Sequence, residues 1–203
     1  MNVISSIDEL EAIYQPANPN ALAKQSDTLT AEYIELIEAA PMCALATVGP
    51  GGMDCSPRGD LPSAVTVVDE ITIHLPDRRG NNRLDSLRNI VEDGRVALLF
   101  MIPGITECMR VNGTAVLRTD PDLLERYTVQ GKAPASVIEI TTEAVYFQCA
   151  RALKRSEFWN PHRHRDRDSL PTPGEVMTAM TRGEFDGAAY DAELQDRQAR
   201  TMS

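Results

Sequence analysis

Four arginines lie within fifteen consecutive residues, PDRRGNNRLDSLRNI at positions 76–90, although the 203-residue chain has a formal net charge of −10. Arginine presents a planar fork of donors that matches the oxygens of a phosphate or a carboxylate. The stretch is therefore either a solvated turn that carries charge for solubility or a binding site for a small anion.

A helix is predicted to begin inside this stretch. Over 82–93, the apolar residues Leu84, Leu87, Ile90 and Val91 are predicted to form one helix face, and Gly94 follows the end. The first N–H groups of a helix have no partner within the helix, and the helix dipole is positive there. The start of this helix would therefore attract an anion.

Arg83 and Ser86 lie one turn apart at this helix start and would add a guanidinium and a hydroxyl to one anion site. A charge-assisted hydrogen bond contributes about 1.5–3 kcal/mol, against about 0.3–1 kcal/mol for a helix dipole at an exposed position. We therefore expect the side chains to determine the affinity. The alternative is that Asn82 caps the helix, Arg83 is solvated and Ser86 only fills the first turn.

The basic residues are concentrated in two segments of an acidic protein. Of the 20 Lys and Arg residues, four lie in 76–90 and six in 151–167, while the pI is about 4.8. Nucleic-acid binding needs a broad basic face and usually a high pI, so the composition argues against a nucleic-acid partner. Two local basic segments in acidic surroundings favour a compact anionic ligand.

The hydrophobic pattern predicts a mainly β protein with peripheral helices. Six strands with short connections disfavour repeated βαβ units and favour an antiparallel barrel. The predicted strands span 42–48, a hairpin over 64–75 that turns at Asp69-Glu70, 95–102, 107–118 and 136–150, with a GPGG turn at 49–52. Further helices are predicted over 28–39, capped by Thr28 or Thr30, and over 120–129.

We expect residues 1–203 to form a single domain. It would consist of a helical N-terminal segment over 1–40, a barrel core over about 41–150 and a C-terminal helical and loop extension over 151–203. No run of about 18 apolar residues could span a bilayer, and the N-terminus lacks the pattern of a signal peptide. These features predict a cytoplasmic protein with no membrane partner.

No metal site and no disulfide framework are predicted. The four cysteines lie far apart and include no Cys-x-x-Cys pair, so we expect mostly buried free thiols. His162 and His164 alternate with arginine and aspartate, a pattern typical of a solvated loop.

Five sequence blocks occur in order: SPRGD at 56–60, LPDRRGNNRLDSLRNI at 75–90, RVALLFMIPG at 95–104, MRVNGTA at 109–115 and CARALKRSEFWNP at 149–161. Together they resemble the pyridoxamine 5'-phosphate oxidase-related family of FMN-binding split β-barrels, and most closely a subgroup of FMN-dependent enzymes with no assigned substrate. The resemblance covers most of 40–161. It implies a six-stranded antiparallel split β-barrel, of the flavin reductase and pyridoxamine phosphate oxidase type, that forms a homodimer with FMN between the subunits.

The resemblance implies three groups of cofactor-binding residues. The phosphate-binding positions are matched by Asn82, Arg83 and Ser86. The strand along the flavin ring is matched by Ser56, Pro57, Arg58 and Gly59. The positions that approach the flavin across the dimer are matched by Cys108, Arg110, Lys154, Arg155 and Trp159.

Several of these assignments have alternatives or departures from the family pattern. SPRGD could be a turn between strands, and Trp159 could be a packing anchor. The subgroup usually has a histidine where this chain has Gln148. The helix start and the C-terminal signature of pyridoxamine phosphate oxidase itself are not reproduced, so pyridoxamine phosphate is not the expected substrate.

The resemblance implies an FMN-dependent oxidoreductase that acts on an unidentified small molecule, with NADH or NADPH as the candidate electron donor. We name no catalytic residue, since hydride can pass directly to or from flavin N5. One alternative is a non-catalytic FMN carrier or redox-sensing module. Another is binding of haem or another tetrapyrrole, for which only His74, His162 and His164 are available as axial ligands.

Overall fold

The computed structural model describes residues 3–201 and centres on one antiparallel β-sheet. The strands are β1 (Met42–Gly49), β2 (Gly52–Gly59), β3 (Thr66–Val67), β4 (Thr72–Pro76), β5 (Arg95–Met101), β6 (Cys108–Arg118) and β7 (Val137–Gln148). The helices are α1 (Ile7–Ile13), α2 (Pro19–Ala23), α3 (Ala31–Glu38), α4 (Asp85–Glu92), α5 (Pro121–Arg126), α6 (Arg151–Arg155), α7 (Pro173–Met180) and α8 (Gly187–Thr201). Two short 3-10 helices lie between α6 and α7.

The sheet has seven strands and is open, so the prediction of a six-stranded barrel is wrong in strand number and closure. The strand order is β2-β1-β5-β6-β7-β4-β3, and the two edge strands are not paired with each other within residues 3–201. The additional strand is β2, which contains most of the SPRGD block. Its partly buried residues are Asp54, Ser56 and Arg58, so the apolar alternation that identifies a strand is absent. Pro57 is tolerated there because β2 is an edge strand.

The other predicted elements are present with small changes at their ends. The hairpin turns at Asp69, whose carboxylate accepts the backbone N–H groups of Ile71 and Thr72 at 2.9 and 2.8 Å. Thr30, one of the two predicted caps, accepts the N–H of Tyr33 at the start of α3. The helix predicted over 82–93 is shorter, since α4 begins only at Asp85, and its predicted apolar face is wrong at Val91, which is 73% exposed, whereas Ile90 is buried.

One apolar core lies on the inner face of the sheet. Alternate residues of β1 and β5 point into it, with Leu45 and Phe100 fully or almost fully buried. Two helices cover this face: α3 contributes the fully buried Ile37, and α4 contributes Ile90. The core thereby fixes α4 against the β1–β2 hairpin.

The free-thiol prediction is confirmed, but only half of the thiols are buried. Cys43 and Cys108 are buried, whereas Cys55 and Cys149 are exposed. Burial raises the pKa of the Cys43 thiol to about 12, so this side chain behaves as a small apolar residue at neutral pH.

Helical segments precede and follow the sheet. At the C-terminus, α7 and α8 pack against each other, and Asp191 of α8 accepts the backbone N–H of Gly174 at 2.8 Å. Thr172 and Glu175 form a capping box at the start of α7. None of the helices in the described part of the chain is long and apolar enough to cross a bilayer.

Phe100→Ala is expected to lower the free energy of unfolding by about 3–5 kcal/mol, because it leaves a cavity in the centre of the core. Chemical denaturation monitored by circular dichroism measures this change. Val91→Ala is the control, since Val91 is 73% exposed on α4 and its truncation should change stability by no more than about 0.5 kcal/mol. Equal losses for the two variants would contradict the assigned core.

Candidate functional site

Strand β2 and the start of α4 meet in a polar cleft, which we call the β2–α4 cleft. The Oγ atoms of Ser56 and Ser86 lie 2.9 Å apart, and the Ser86 hydroxyl also donates to the carboxylate of Asp54. The cavity here has a volume of about 360 Å³, and its polar lining includes Asp54, Ser56, Arg58, Asn81, Arg83 and Ser86. The cleft therefore brings together residues from the predicted ring-side strand and the predicted phosphate-binding helix.

Buried hydrogen bonds fix the position of α4 in the cleft wall. The amide of Asn89 donates to Thr47 Oγ1 at 3.1 Å and to the carbonyl of Gly52 at 3.2 Å. Ser86, one turn earlier, is almost fully buried. Because Asn89 ties the helix to both strands of the hairpin, the hydroxyl of Ser86 has a fixed place opposite β2.

The alternative that Asn82 caps this helix is wrong. Asn82 has a left-handed backbone, with φ of 58°, and the side chain of Asn81 accepts the N–H of Arg83 at 3.0 Å. This turn delays the helix, so the cap position falls on Leu84, whose side chain cannot accept a hydrogen bond. The first N–H groups of α4 thus have no cap from the side chain at that position, which suits an anion.

The arginines around the cleft already have carboxylate partners. Arg83 is 80% exposed and its Nε lies 2.5 Å from Asp85, an interaction that raises the pKa of the guanidinium. Arg58 Nη1 lies 2.9 Å from Asp77. The prediction that Arg83 reaches the same site as Ser86 fits the geometry, since both side chains line the cleft.

Arg58 retains a donor that no group among residues 3–201 satisfies. Its Nε is buried and has no hydrogen-bond partner. A second cavity, of about 260 Å³, shares Arg58, Gly80, Asn81 and Arg83 with the cleft and is also lined by Arg79. A buried unpaired donor costs about 1–3 kcal/mol, so a ligand with an acceptor atom at this point would relieve that cost. The residues present therefore fit an elongated anionic cofactor.

The strand residues predicted to approach from across a dimer lie elsewhere in this chain. The register aligns Pro57, Ala44, Leu99 and Arg110 across four adjacent strands. At a strand spacing of about 4.8 Å, Arg110 lies ~14 Å from Pro57 along the sheet. The Arg110 guanidinium stacks 4.9 Å from the ring centre of Tyr146. Cys108 is buried on the same strand, and this burial raises the pKa of its thiol.

The basic segment after β7 is also remote from Ser86 within one chain. Lys154 and Arg155 are exposed in the last turn of α6. This helix follows β7, which lies four strands away from β2 in the sheet. Trp159 donates its indole N–H to the carbonyl of Ile105 at 2.7 Å and packs edge-to-face against Phe158. Within one chain, Trp159 therefore contacts Ile105 and Phe158, and both the packing-anchor alternative and an approach to a partner's cofactor stay predictions.

His74 is not available as an axial ligand in this structure. It is buried, with Nδ1 2.9 Å from the Tyr127 hydroxyl and Nε2 3.1 Å from Glu139. His162 and His164 are exposed in the segment between α6 and α7. No group of three metal-ligating side chains occurs among the residues that the structure describes.

Comparison with known families decides the assignment of the chain. The family model described as pyridoxamine 5'-phosphate oxidase matches residues 29–149, which is 121 of the 203 residues. The chain belongs to the pyridoxamine 5'-phosphate oxidase family. This match includes β2, the arginine-rich stretch and α4, so the β2–α4 cleft lies within the part that carries the family resemblance. A comparison with curated protein sequences finds no match.

The solved structures with a similar arrangement of strands include the three that follow, which carry different names. HupZ from Group A Streptococcus is 22% identical, with a TM-score of 0.46, covering 56% of this chain and 89% of that chain. A candidate pyridoxamine 5'-phosphate oxidase from Lactobacillus delbrueckii is 25% identical, with a TM-score of 0.47, covering 60% and 95%. An FMN-binding protein from Syntrophomonas wolfei is 15% identical, with a TM-score of 0.42, covering 57% and 87%. The family assignment rests on the sequence match alone.

The sequence prediction missed several residues that the geometry places in or beside the cleft, among them Asp54, Asn81 and Arg79. Asp54 contacts Ser86, and Arg79 lines the adjoining cavity. Asp54 precedes the SPRGD block by two positions, and the period of two along β2 would have placed it on the same face as Ser56. Arg79 is one of the four arginines in 76–90, and its residue type does not distinguish it from the other three.

Proposed function

We propose that this protein binds FMN in the β2–α4 cleft and is an FMN-dependent oxidoreductase for a small molecule. The observation that carries the proposal is the pairing of Ser56 with Ser86 at 2.9 Å, since it joins the ring-side strand to the phosphate-binding helix start. Family membership supports the same assignment. The absorption spectrum of the freshly purified protein tests it: bound flavin gives an oxidised band in the visible, and FMN added to protein without that band should bind.

Each group of cleft residues has a distinct role in holding FMN. The uncapped start of α4, Ser86 and Arg83 would hold the phosphate, with Asn82 shaping the turn. Ser56, Pro57, Arg58 and Gly59 of β2 would lie along the flavin, and Arg58 Nε supplies an unused donor. FMN, when bound, supplies electron or hydride transfer, while the protein orients it and limits access of water.

The proposed active form is a homodimer with FMN between the subunits. Pro57, Gly59, Cys108 and Arg110 lie on the outer face of the sheet, and Lys154, Arg155 and Trp159 follow the end of β7. One protomer cannot bring Cys108, Arg110, Lys154, Arg155 and Trp159 to its own β2–α4 cleft, and in the proposed dimer the two-fold partner would supply them. The outer face of β1 and β5 also exposes Met42 and Leu99, an apolar surface that a second copy would cover.

Leu99→Arg is expected to convert a dimer into a monomer, because Leu99 is 37% exposed in the middle of this apolar face. Analytical ultracentrifugation should give a mass of two 22.3 kDa chains for the wild type and of one for the variant. When the dimer is lost, the affinity for FMN should fall about tenfold or more, since at least one charge-assisted contact from the partner is lost with it. Val91→Arg, on the exposed side of α4 across the sheet from this face, should remain dimeric. A monomeric wild type that binds FMN fully would refute this geometry.

A further inference from the structure

We propose that Asp54 is a specificity-determining residue, whose carboxylate competes with the phosphate of the ligand for the hydroxyl of Ser86. The inference rests on the proposed function, because it concerns how the same cleft recognises FMN. It follows from the donor and acceptor count at Ser86 and from the distribution of charge in the cleft.

The hydroxyl protons of the cleft are already used within the protein. A serine hydroxyl has one proton to donate, and a carboxylate only accepts. Ser86 therefore donates to Asp54, and the 2.9 Å contact between the two serines must be donated by Ser56. In this arrangement neither hydroxyl has a proton left for a phosphate oxygen.

Asp54 is also the cleft carboxylate that forms no direct ion pair in the described part of the chain, although its charge acts on the Arg83 guanidinium. Asp77 pairs with Arg58 and Asp85 pairs with Arg83. No ion pair within 4.0 Å includes Asp54 among the side chains that the structure describes. A phosphate monoester carries a charge of about −1.5 to −2 at pH 7, so it meets a like charge at Ser86.

A ligand with a phosphate must displace Asp54 from Ser86, whereas a ligand without one need not. Asp54 therefore lowers the affinity for FMN and leaves the affinity for riboflavin, which lacks the phosphate, unchanged. The ratio of the two affinities isolates this effect from any general change in the cleft. Removal of the charge at Asp54 should increase the preference for FMN.

The test is titration of the protein with FMN and with riboflavin, followed by flavin fluorescence, for the wild type, Asp54→Asn and Glu92→Gln. Asparagine keeps an acceptor oxygen for Ser86 and removes the charge. Glu92 is exposed at the other end of α4, so Glu92→Gln is a control for the same loss of charge. We expect Asp54→Asn to tighten FMN about tenfold and to leave riboflavin within about twofold, as expected for removal of a close like charge.

A second measurement asks whether Asp54 acts through Ser86. In a Ser86→Ala background, Asp54→Asn should tighten FMN by a smaller factor than in the wild type, because only the like charge is then removed and the contested hydroxyl is already gone. Asp54→Ala replaces Asp54→Asn if circular dichroism shows that the asparagine variant does not fold.

An unchanged ratio of FMN to riboflavin affinity in Asp54→Asn overturns the inference. So does a loss of affinity for both flavins, which would make Asp54 a contact of the flavin itself. These results differ from failure of the proposed function, in which the wild type binds neither flavin. A wild type that prefers FMN, together with an Asp54→Asn variant of unchanged preference, removes only the role of Asp54.

Discussion

Riboflavin is expected to bind this protein about a hundredfold more weakly than FMN, because it lacks the phosphate that the start of α4 and Ser86 would hold. Two charge-assisted contacts of about 1.5 kcal/mol each account for a factor of this size. Ser86 is buried and fixed through Asn89, so Ser86→Ala should remove much of the preference for FMN. Arg83→Ala should also reduce the preference, since Arg83 must turn from Asp85 to the phosphate.

Arg95→Ala is the matched control for Arg83→Ala. Arg95 is also exposed and ion-paired, with Asp93 at 2.5 Å, but it lies at the far end of α4. Its loss should leave both flavin affinities unchanged. Isothermal titration or fluorescence titration gives the two dissociation constants, and equal affinities of the wild type for FMN and riboflavin would exclude a phosphate site in the cleft.

Bleaching of the bound flavin by a nicotinamide donor separates an oxidoreductase from a carrier. In anaerobic mixing with NADH and NADPH, the oxidised band of the FMN-loaded protein is expected to disappear within seconds with one of them. Lys154 and Arg155 are exposed and could hold the donor's phosphates. Lys154→Ala should slow bleaching by about tenfold or more, because the loss of one charge-assisted contact has an effect of this size.

The control for Lys154→Ala is Arg182→Ala, which removes one exposed positive charge between α7 and α8. It should leave the bleaching rate unchanged, so that a general effect of net charge is excluded. Absence of bleaching with both donors would remove the nicotinamide-driven enzyme. If a broad panel of oxidisable and reducible small molecules also leaves the flavin unchanged, the carrier or redox-sensor alternative replaces the oxidoreductase.

The sequence predicted the elements whose side chains alternate between core and solvent. β1, β5 and the helix face that includes Ile90 follow this rule, because apolar burial determines both their pattern and their position. β2 escaped the rule because it presents Asp54, Ser56 and Arg58 to a polar cleft. A strand whose partly buried side chains line a polar binding site therefore lacks the apolar alternation of a strand that packs against the core.

The sequence predicted which residues could form the candidate site, but not which side chains each of them would contact. The sequence placed Ser86 near a helix start, yet gave no sign that Asp54 would accept its proton or that Asp77 would pair with Arg58. Such partners are brought together by pairing of β1 with β2 and by packing of α4, which are long-range contacts. Residue spacing along the chain does not encode them.

β2 is a wall of the cleft and also an open edge of the sheet. The unpaired backbone groups of an edge strand can recruit a strand from another molecule, and such recruitment is a common start of aggregation. Pro57 offers no N–H to an incoming strand, and the charges of Asp54 and Arg58 lie on the same short segment. Residues that line the proposed cofactor site therefore also protect the folded protein against edge-to-edge association.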